Sequence, residues 1–277
     1  MPSVPSLTFN NGVSIPQLGF GVFLVPPPET AAAVSTALDA GYRHIDTAQG
    51  YQNEQGVGEA IARSGIPRDE IFITTKLVNG QHGYDRTMAA FEASTERLGI
   101  DVLDLFLIHW PLPMFDQYVD TWRAFEQLLA DGRVSAIGVS NFEIAHLERL
   151  ANETDITPAI NQVELHPDFS QADLRAYHEA HGILTEAWGP LGQNQGLLDE
   201  PGLVAVAEKH GRTPAQVVLR WHIQVGNVVI PKSVTPSRIR ENIDVFDFEL
   251  DDADMKAFAD LDVGRRLGPH PNEFDLV

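Results

Sequence analysis

Short apolar runs alternate along the chain with longer stretches in which apolar residues recur every three or four positions. The runs cover residues 18–23, 42–46, 71–75, 104–109, 136–139, 159–163, 183–187 and 227–230. Short apolar runs bounded by turn residues read as strands buried on both faces. The stretches between them predict helices over 29–40, 54–64, 86–98, 119–130, 142–150, 171–181, 203–210 and 214–225, with two more over 236–242 and 252–261. Several end at a glycine (Gly41, Gly65, Gly99, Gly182), which suits a left-handed C-cap. The Pro26-Pro27-Pro28 run reads as a rigid loop between strand and helix. Ahead of the first run, residues 7–9 and 13–15 flank Asn10-Asn11-Gly12, the pattern of a β-hairpin.

Strands alternating with helices predict βαβ units and a parallel sheet. Eight units point to an α/β fold, a (β/α)8 TIM barrel with an N-terminal β-hairpin and extra C-terminal helices. One domain would then span residues 1–277, close to the roughly 250 residues usual for such barrels. A doubly wound sheet with an appended domain is the alternative. Its phosphate fingerprint is incomplete, because Gly19-Phe20-Gly21 is followed by Leu24 where the third glycine belongs.

Hydrophobic residues make up 43% of the chain, which excludes a disordered protein. No window approaches the roughly 18 consecutive apolar residues of a membrane span. The first cation is Arg43, so a secretory signal, which needs a basic region, is not expected. Cysteine is absent, which rules out disulfides and thiolate metal sites. With 19 Lys and Arg against 39 Asp and Glu, the formal charge is -20. A field of that sign repels nucleic acid and anionic membranes and makes any local basic cluster informative. A cytoplasmic monomer with no nucleic-acid or membrane partner is expected.

Three consecutive strands end in ionisable residues: Asp46, Lys76 and His109, with Tyr51 five positions past Asp46. Each alone could be a solvated strand end. In a barrel, however, strand C-termini carry the chemistry. A lysine drawn into an apolar mouth needs a counter-charge, which Asp46 on the adjacent strand can supply. Lys76 is then expected to lower the pKa of the Tyr51 phenol from about 10. His109 could orient a carbonyl oxygen that Tyr51 protonates.

The segment Gly41-Tyr42-Arg43-His44-Ile45-Asp46-Thr47-Ala48 with Tyr51, Glu54 and Gly58 resembles the first signature of the aldo-keto reductase family. Residues 134–142 resemble the second, and Ile230-Pro231-Lys232-Ser233 with Arg238 and Asn242 the third. Three ordered signatures extend the resemblance over nearly the whole chain. The stretches 109–111, 188–193 and 242–248 are most similar to bacterial 2,5-diketo-D-gluconate reductase-like members.

The resemblance implies NADPH-dependent reduction of aldehydes and ketones. Small dicarbonyls, keto esters, aromatic aldehydes and 2,5-diketo-D-gluconate are the candidate substrates, and Tyr51, Asp46, Lys76 and His109 the catalytic residues. It also implies cofactor contacts from Ser140, Asn141, Gln162, Trp188, Leu191 and Gln193, although Asn141 and Gln162 could instead cap helices and Trp188 could be core. Lys232, Ser233 and Arg238, entering a short helix near Pro236, suit the 2'-phosphate. Asn242 would meet the adenine. The alternative for this group is a surface helix salt-bridged through Glu241.

Phe20, Phe23, Val78 and Trp110 are expected to line the substrate pocket. Val78 departs from the tryptophan that many relatives carry there. Arg265, Arg266 and His270 in the tail could attract an acidic substrate or be solvated charges. His178 and His181 read as exposed, and no metal site is expected. Two other classes stay open: a non-catalytic barrel that binds NADPH, and a metal-dependent hydrolase.

Overall fold

The alternating pattern folds into one curled parallel sheet wrapped by helices. The structure is a computed structural model that describes residues 4–277, so residues 1–3 of the expected domain lie outside the described part. A hairpin comes first: β1 (Ser6–Thr8) pairs antiparallel with β2 (Ser14–Pro16), and Gly12 adopts φ 89° in the turn. Then follow β3 (Phe20–Gly21), β4 (His44–Asp46), β5 (Phe72–Leu77), β6 (Leu103–Ile108), β7 (Val134–Ser140), β8 (Ile160–Glu164), β9 (Leu184–Trp188) and β10 (Val228–Val229). These eight are parallel and lie in chain order across the sheet. The sheet's two edges also meet. Gly19 N donates to Val229 O at 2.9 Å, Val229 N to Gln17 O at 2.9 Å, and Gly21 N to Pro231 O at 3.1 Å, which closes the sheet on itself.

Between the strands run α1 (Pro27–Ala40), α2 (Glu54–Arg63), α3 (Tyr84–Leu98), α4 (Tyr118–Ala130), α5 (Ile144–Glu153), α6 (Ala172–Ala180), α7 (Pro201–His210) and α8 (Pro214–Gln224). The last two share the β9–β10 connection. After β10 come α9 (Pro236–Ile243) and α10 (Asp252–Ala259), the expected extra helices. Pro27 and Pro28 are not loop residues. They form the first turn of α1, where a missing N–H costs nothing and φ is already helical. The first and last strands of the sheet are shorter than their apolar runs, because the flanking residues serve the seam and the mouth.

Side chains alternate along each strand. On β6, Phe106 points outward and stacks on Phe125 of α4 at 4.4 Å, whereas Leu105 and Leu107 point inward. Phe72, Leu105, Leu107, Ala136, Ile160 and Val228 plug the lower interior, with Phe9 and Ile15 of the hairpin beneath them. Gly138 has no Cβ because Leu107 and the Ile160 backbone occupy that space, at 2.8 and 2.7 Å. One strand step higher, the inward positions turn polar.

Candidate active site

Asp46, Lys76 and His109 all occupy inward positions at the upper ends of β4, β5 and β6. Lys76 is fully buried, and its Nζ donates to Asp46 Oδ1 at 2.7 Å, Asp46 Oδ2 at 2.8 Å and Thr47 O at 2.8 Å.

Tyr51 arrives on a single 3-10 turn, Gln49–Tyr51, after β4. Side chains pin that loop from both sides. Thr47 Oγ1 donates to Asn53 Oδ1 at 2.7 Å, and Asn53 Nδ2 donates to Val22 O at 3.0 Å. Gln49 Nε2 donates to Ala90 O at 2.8 Å, while its Oε1 accepts from Val78 N at 2.9 Å. The Tyr51 ring thereby sits with Lys76 Nζ 5.1 Å from its centre, His109 edge-on at 5.7 Å and Phe23 at 5.1 Å.

Charge follows from burial and neighbours. Desolvation alone would lower the Lys76 ammonium, but Asp46, Tyr51 and Glu186 hold its pKa above the ordinary value. His109 is pushed down to about 3, first by burial and then by the charge of Lys76, so its ring is neutral at working pH. Tyr51 corrects the expectation. Burial, helped by the charges of Asp46 and Glu186, outweighs the expected lowering by Lys76, and the net shift is upward. The phenol therefore holds its proton at neutral pH until a substrate oxygen can take it.

The next strands bring the other polar residues together. Asn141, held at φ 63°, donates through Nδ2 to His109 O at 2.9 Å and to Ser140 Oγ at 3.0 Å, and accepts at Oδ1 from Trp188 Nε1 at 2.8 Å. Gln162 Nε2 donates to Asp46 Oδ2 and to Glu186 Oε2, both at 2.8 Å. Asn141 and Gln162 thus link strands and do not cap helices. Trp188 and Leu191 are half-buried, and Gln193 is exposed beyond them.

Lys232 and Arg238 are exposed, Ser233 and Asn242 buried, around the start of α9. Among the described residues no carboxylate pairs with either cation. Glu241, the partner considered for Arg238, instead accepts from Thr213 Oγ1 at 2.7 Å. Two unpaired cations beside a helix N-terminus in so acidic a chain form a local anion-attracting patch.

The pocket residues divide. Phe23 is exposed, Val78 is half-buried, and Trp110 packs on Phe274 of the tail at 4.3 Å, so all three border the mouth. Phe20 does not. Its ring is buried against Tyr42 at 5.6 Å, in the layer between sheet and helices, because its position in β3 points outward.

The tail residues missed in the sequence reading are Phe274 and Leu276, whose carbonyl accepts from Asn79 Nδ2 at 2.7 Å. No periodicity marked them. Arg265 pairs with Asp168, which also bonds His166, while Arg266 and His270 lie 3.9 and 3.4 Å from the single carboxyl group of Glu143, so each faces an acid of the protein itself. Glu164 accepts from Gly268 N at 2.8 Å and from His166 Nε2 at 3.0 Å, fastening the tail beside Trp188. His178 is buried, bonded to Asn161 at 3.0 Å and Thr185 at 2.9 Å, which overturns its expected exposure; His181 is exposed.

Sheet, helices and site together define an α/β enzyme scaffold with its polar centre at the strands' C-terminal ends. The chain belongs to the aldo/keto reductase family, whose profile matches residues 17–263. A Mycolicibacterium smegmatis protein described as an aldo-keto reductase is 57% identical over 273 residues, 99% of each chain. The methylglyoxal reductase DkgA of Salmonella typhimurium is 49% identical over 269 residues, 97% of each. Among solved structures, a Gox0644 variant in complex with NADPH superposes with a TM-score of 0.95 at 50% identity, covering 99% of both chains. Among the described residues no helix is long and apolar enough to cross a membrane.

Proposed function

We propose that this protein reduces small uncharged aldehydes, ketones and dicarbonyls to alcohols with NADPH. The observation that carries the reading is the buried Lys76–Asp46 pair beside the Tyr51 and His109 rings at one end of the barrel. NADPH, when bound, supplies the hydride. Ser140, Asn141, Gln162 and Trp188 would hold its nicotinamide, and Leu191 and Gln193 would flank it. Lys232, Ser233, Arg238 and Asn242 would hold the adenosine 2'-phosphate end. The fit is supported by the unpaired Lys232 and Arg238 and by the half-exposed Trp188 ring.

The chain's own residues then do the following. The Tyr51 hydroxyl and a His109 ring N–H donate to the substrate carbonyl oxygen and orient it. As charge builds on that oxygen, Tyr51 transfers its proton there, and the phenolate left behind is stabilised by the Lys76 ammonium. Asp46 keeps Lys76 charged and in place. Phe23, Trp110 and the tail shield the site from water.

Substrate charge is read from the tail. Arg265, Arg266 and His270 are engaged by Asp168 and Glu143, which leaves them poorly placed to recruit a keto acid. Methylglyoxal, the substrate in the name of the Salmonella relative, fits this reading better than a diketo sugar acid. The same proposal has the protein acting as a cytoplasmic monomer, which light scattering would check as a mass of one chain. The test is loss of NADPH absorbance with methylglyoxal, an aromatic aldehyde, a keto ester and a diketo sugar acid, with NADH in parallel. Turnover of the uncharged carbonyls supports the reading. A flat trace for every substrate while NADPH still binds would replace it with a non-catalytic NADPH-binding role.

A further inference from the structure

Beneath the Lys76–Asp46 pair lies a second carboxyl group that the mechanism above does not use. Glu186 projects inward from β9 and is fully buried. Its Oε2 accepts from Gln162 Nε2 at 2.8 Å, the same nitrogen that donates to Asp46 Oδ2 at 2.8 Å. Its Oε1 has no hydrogen-bond partner among the described residues; the nearest cationisable atom, His44 Nε2, lies 3.8 Å away. His44 is itself bonded to Thr74 Oγ1 at 3.0 Å. Glu186 therefore meets Gln162 from β8 directly, Asp46 from β4 through that amide, and His44 from β4 at 3.8 Å, while Lys76 from β5 and Tyr51 from the loop above lie within reach of its charge. Its neighbour in register on β10, Val228, is apolar.

We propose that Glu186 is a positioning residue of the carbonyl-reducing site, acting through Gln162 on Asp46 and through its own ionisation on Tyr51. Two consequences follow from the geometry. Gln162 has two amide protons, and the carboxyl groups on either side take both, which fixes the orientation of the amide and leaves its Oε1 without a donor among the described residues. The interior also holds one ammonium for two carboxyl groups. His44 cannot supply a second cation, because burial and Lys76 push its pKa down to about 3.

Glu186 therefore carries its proton at neutral pH, its pKa pushed up to about 8 by burial and by Asp46. Above that pH it becomes an anion, and its charge raises the proton affinity of Tyr51. Reduction needs a protonated Tyr51, so an ionised Glu186 extends reduction toward alkaline pH.

The inference rests on the reductase reading, and its test separates the two. Phenolate absorbance is titrated in the wild type and in Glu186→Gln, each minus its Tyr51→Phe counterpart, so that only Tyr51 contributes. This needs neither cofactor nor substrate. Glu186→Gln keeps an oxygen for Gln162 and removes the ionisation. Its Tyr51 midpoint is expected at lower pH than in the wild type, and the alkaline limb of kcat for methylglyoxal reduction is expected to move the same way. Coincident titration curves overturn the proposal. Should Glu186→Gln fail to fold, Glu186→Met, similar in size and uncharged, gives the same comparison. A wild type without turnover would defeat the reductase reading, while the absorbance titration would still decide whether Glu186 acts on Tyr51.

Discussion

Tyr51 has to be an acid at neutral pH although an ammonium stands 5.1 Å from its ring. Burial, with the charges of Asp46 and Glu186, raises its pKa on balance, while Lys76 remains close enough to stabilise the phenolate once the proton has left. Removing only the hydroxyl isolates that step. Tyr51→Phe is expected to lower kcat by roughly 10²–10⁴-fold, the range of a general acid. NADPH affinity, read by fluorescence titration, should stay within a few-fold, because the phenol meets the substrate oxygen. Loss of cofactor binding in that variant would move Tyr51 into the cofactor site instead.

At the scale of elements, α9 and α2 illustrate different constraints. α9 begins with Pro236 at its first turn and presents Arg238 to solvent without an acid partner. Arg238→Ala is expected to weaken NADPH by up to about 3 kcal/mol, the value of a charge-assisted hydrogen bond. NADH should be affected far less, as calorimetry of both nucleotides would show. Equal weakening would place the 2'-phosphate elsewhere. In α2, a Cβ on Gly58 would come within 2.3 Å of Leu98 O, the backbone at the end of α3. That carbonyl cannot rotate away as a side chain could, so Gly58→Ala is expected to cost roughly 1–3 kcal/mol through overpacking. An unchanged denaturation midpoint would show that the two helices can separate without penalty.

Over the whole molecule, the buried histidines tie stability to pH. His44, His109, His178 and His222 are lowered to about 3 by burial first, and His82 to about 4. In the unfolded chain they take up protons below about 6.5. Between these values the unfolded state binds more protons than the native one. Their contribution is therefore full above about 6.5 and is lost as pH falls, by up to about 1.4 kcal/mol per unit for each residue. Glu186 runs the other way: its raised value of about 8 makes its contribution present at low pH and lost as pH climbs. Melting temperatures are expected to drop from neutral pH toward about pH 4, with the histidines outweighing the single glutamate. A flat profile over that range would mean that these rings are protonated in the folded state.

The chain's own pattern determined the eight-strand alternation, the hairpin and the polar strand ends, because apolar periodicity and turn residues are local properties. Asp46, Lys76 and His109 were legible for the same reason: each closes an apolar run. What tertiary structure alone decided depends on direction and distance. Phe20 belongs to an apolar run like its neighbours, and only the facing of β3 puts it behind the sheet. The tail cations looked available until Asp168 and Glu143, distant in sequence, were found beside them. Glu186 lies within an ordinary strand segment. Its importance appears only when β4, β5, β8 and β9 curl together and leave two carboxyl groups to share the amide of Gln162 in a space that water does not reach.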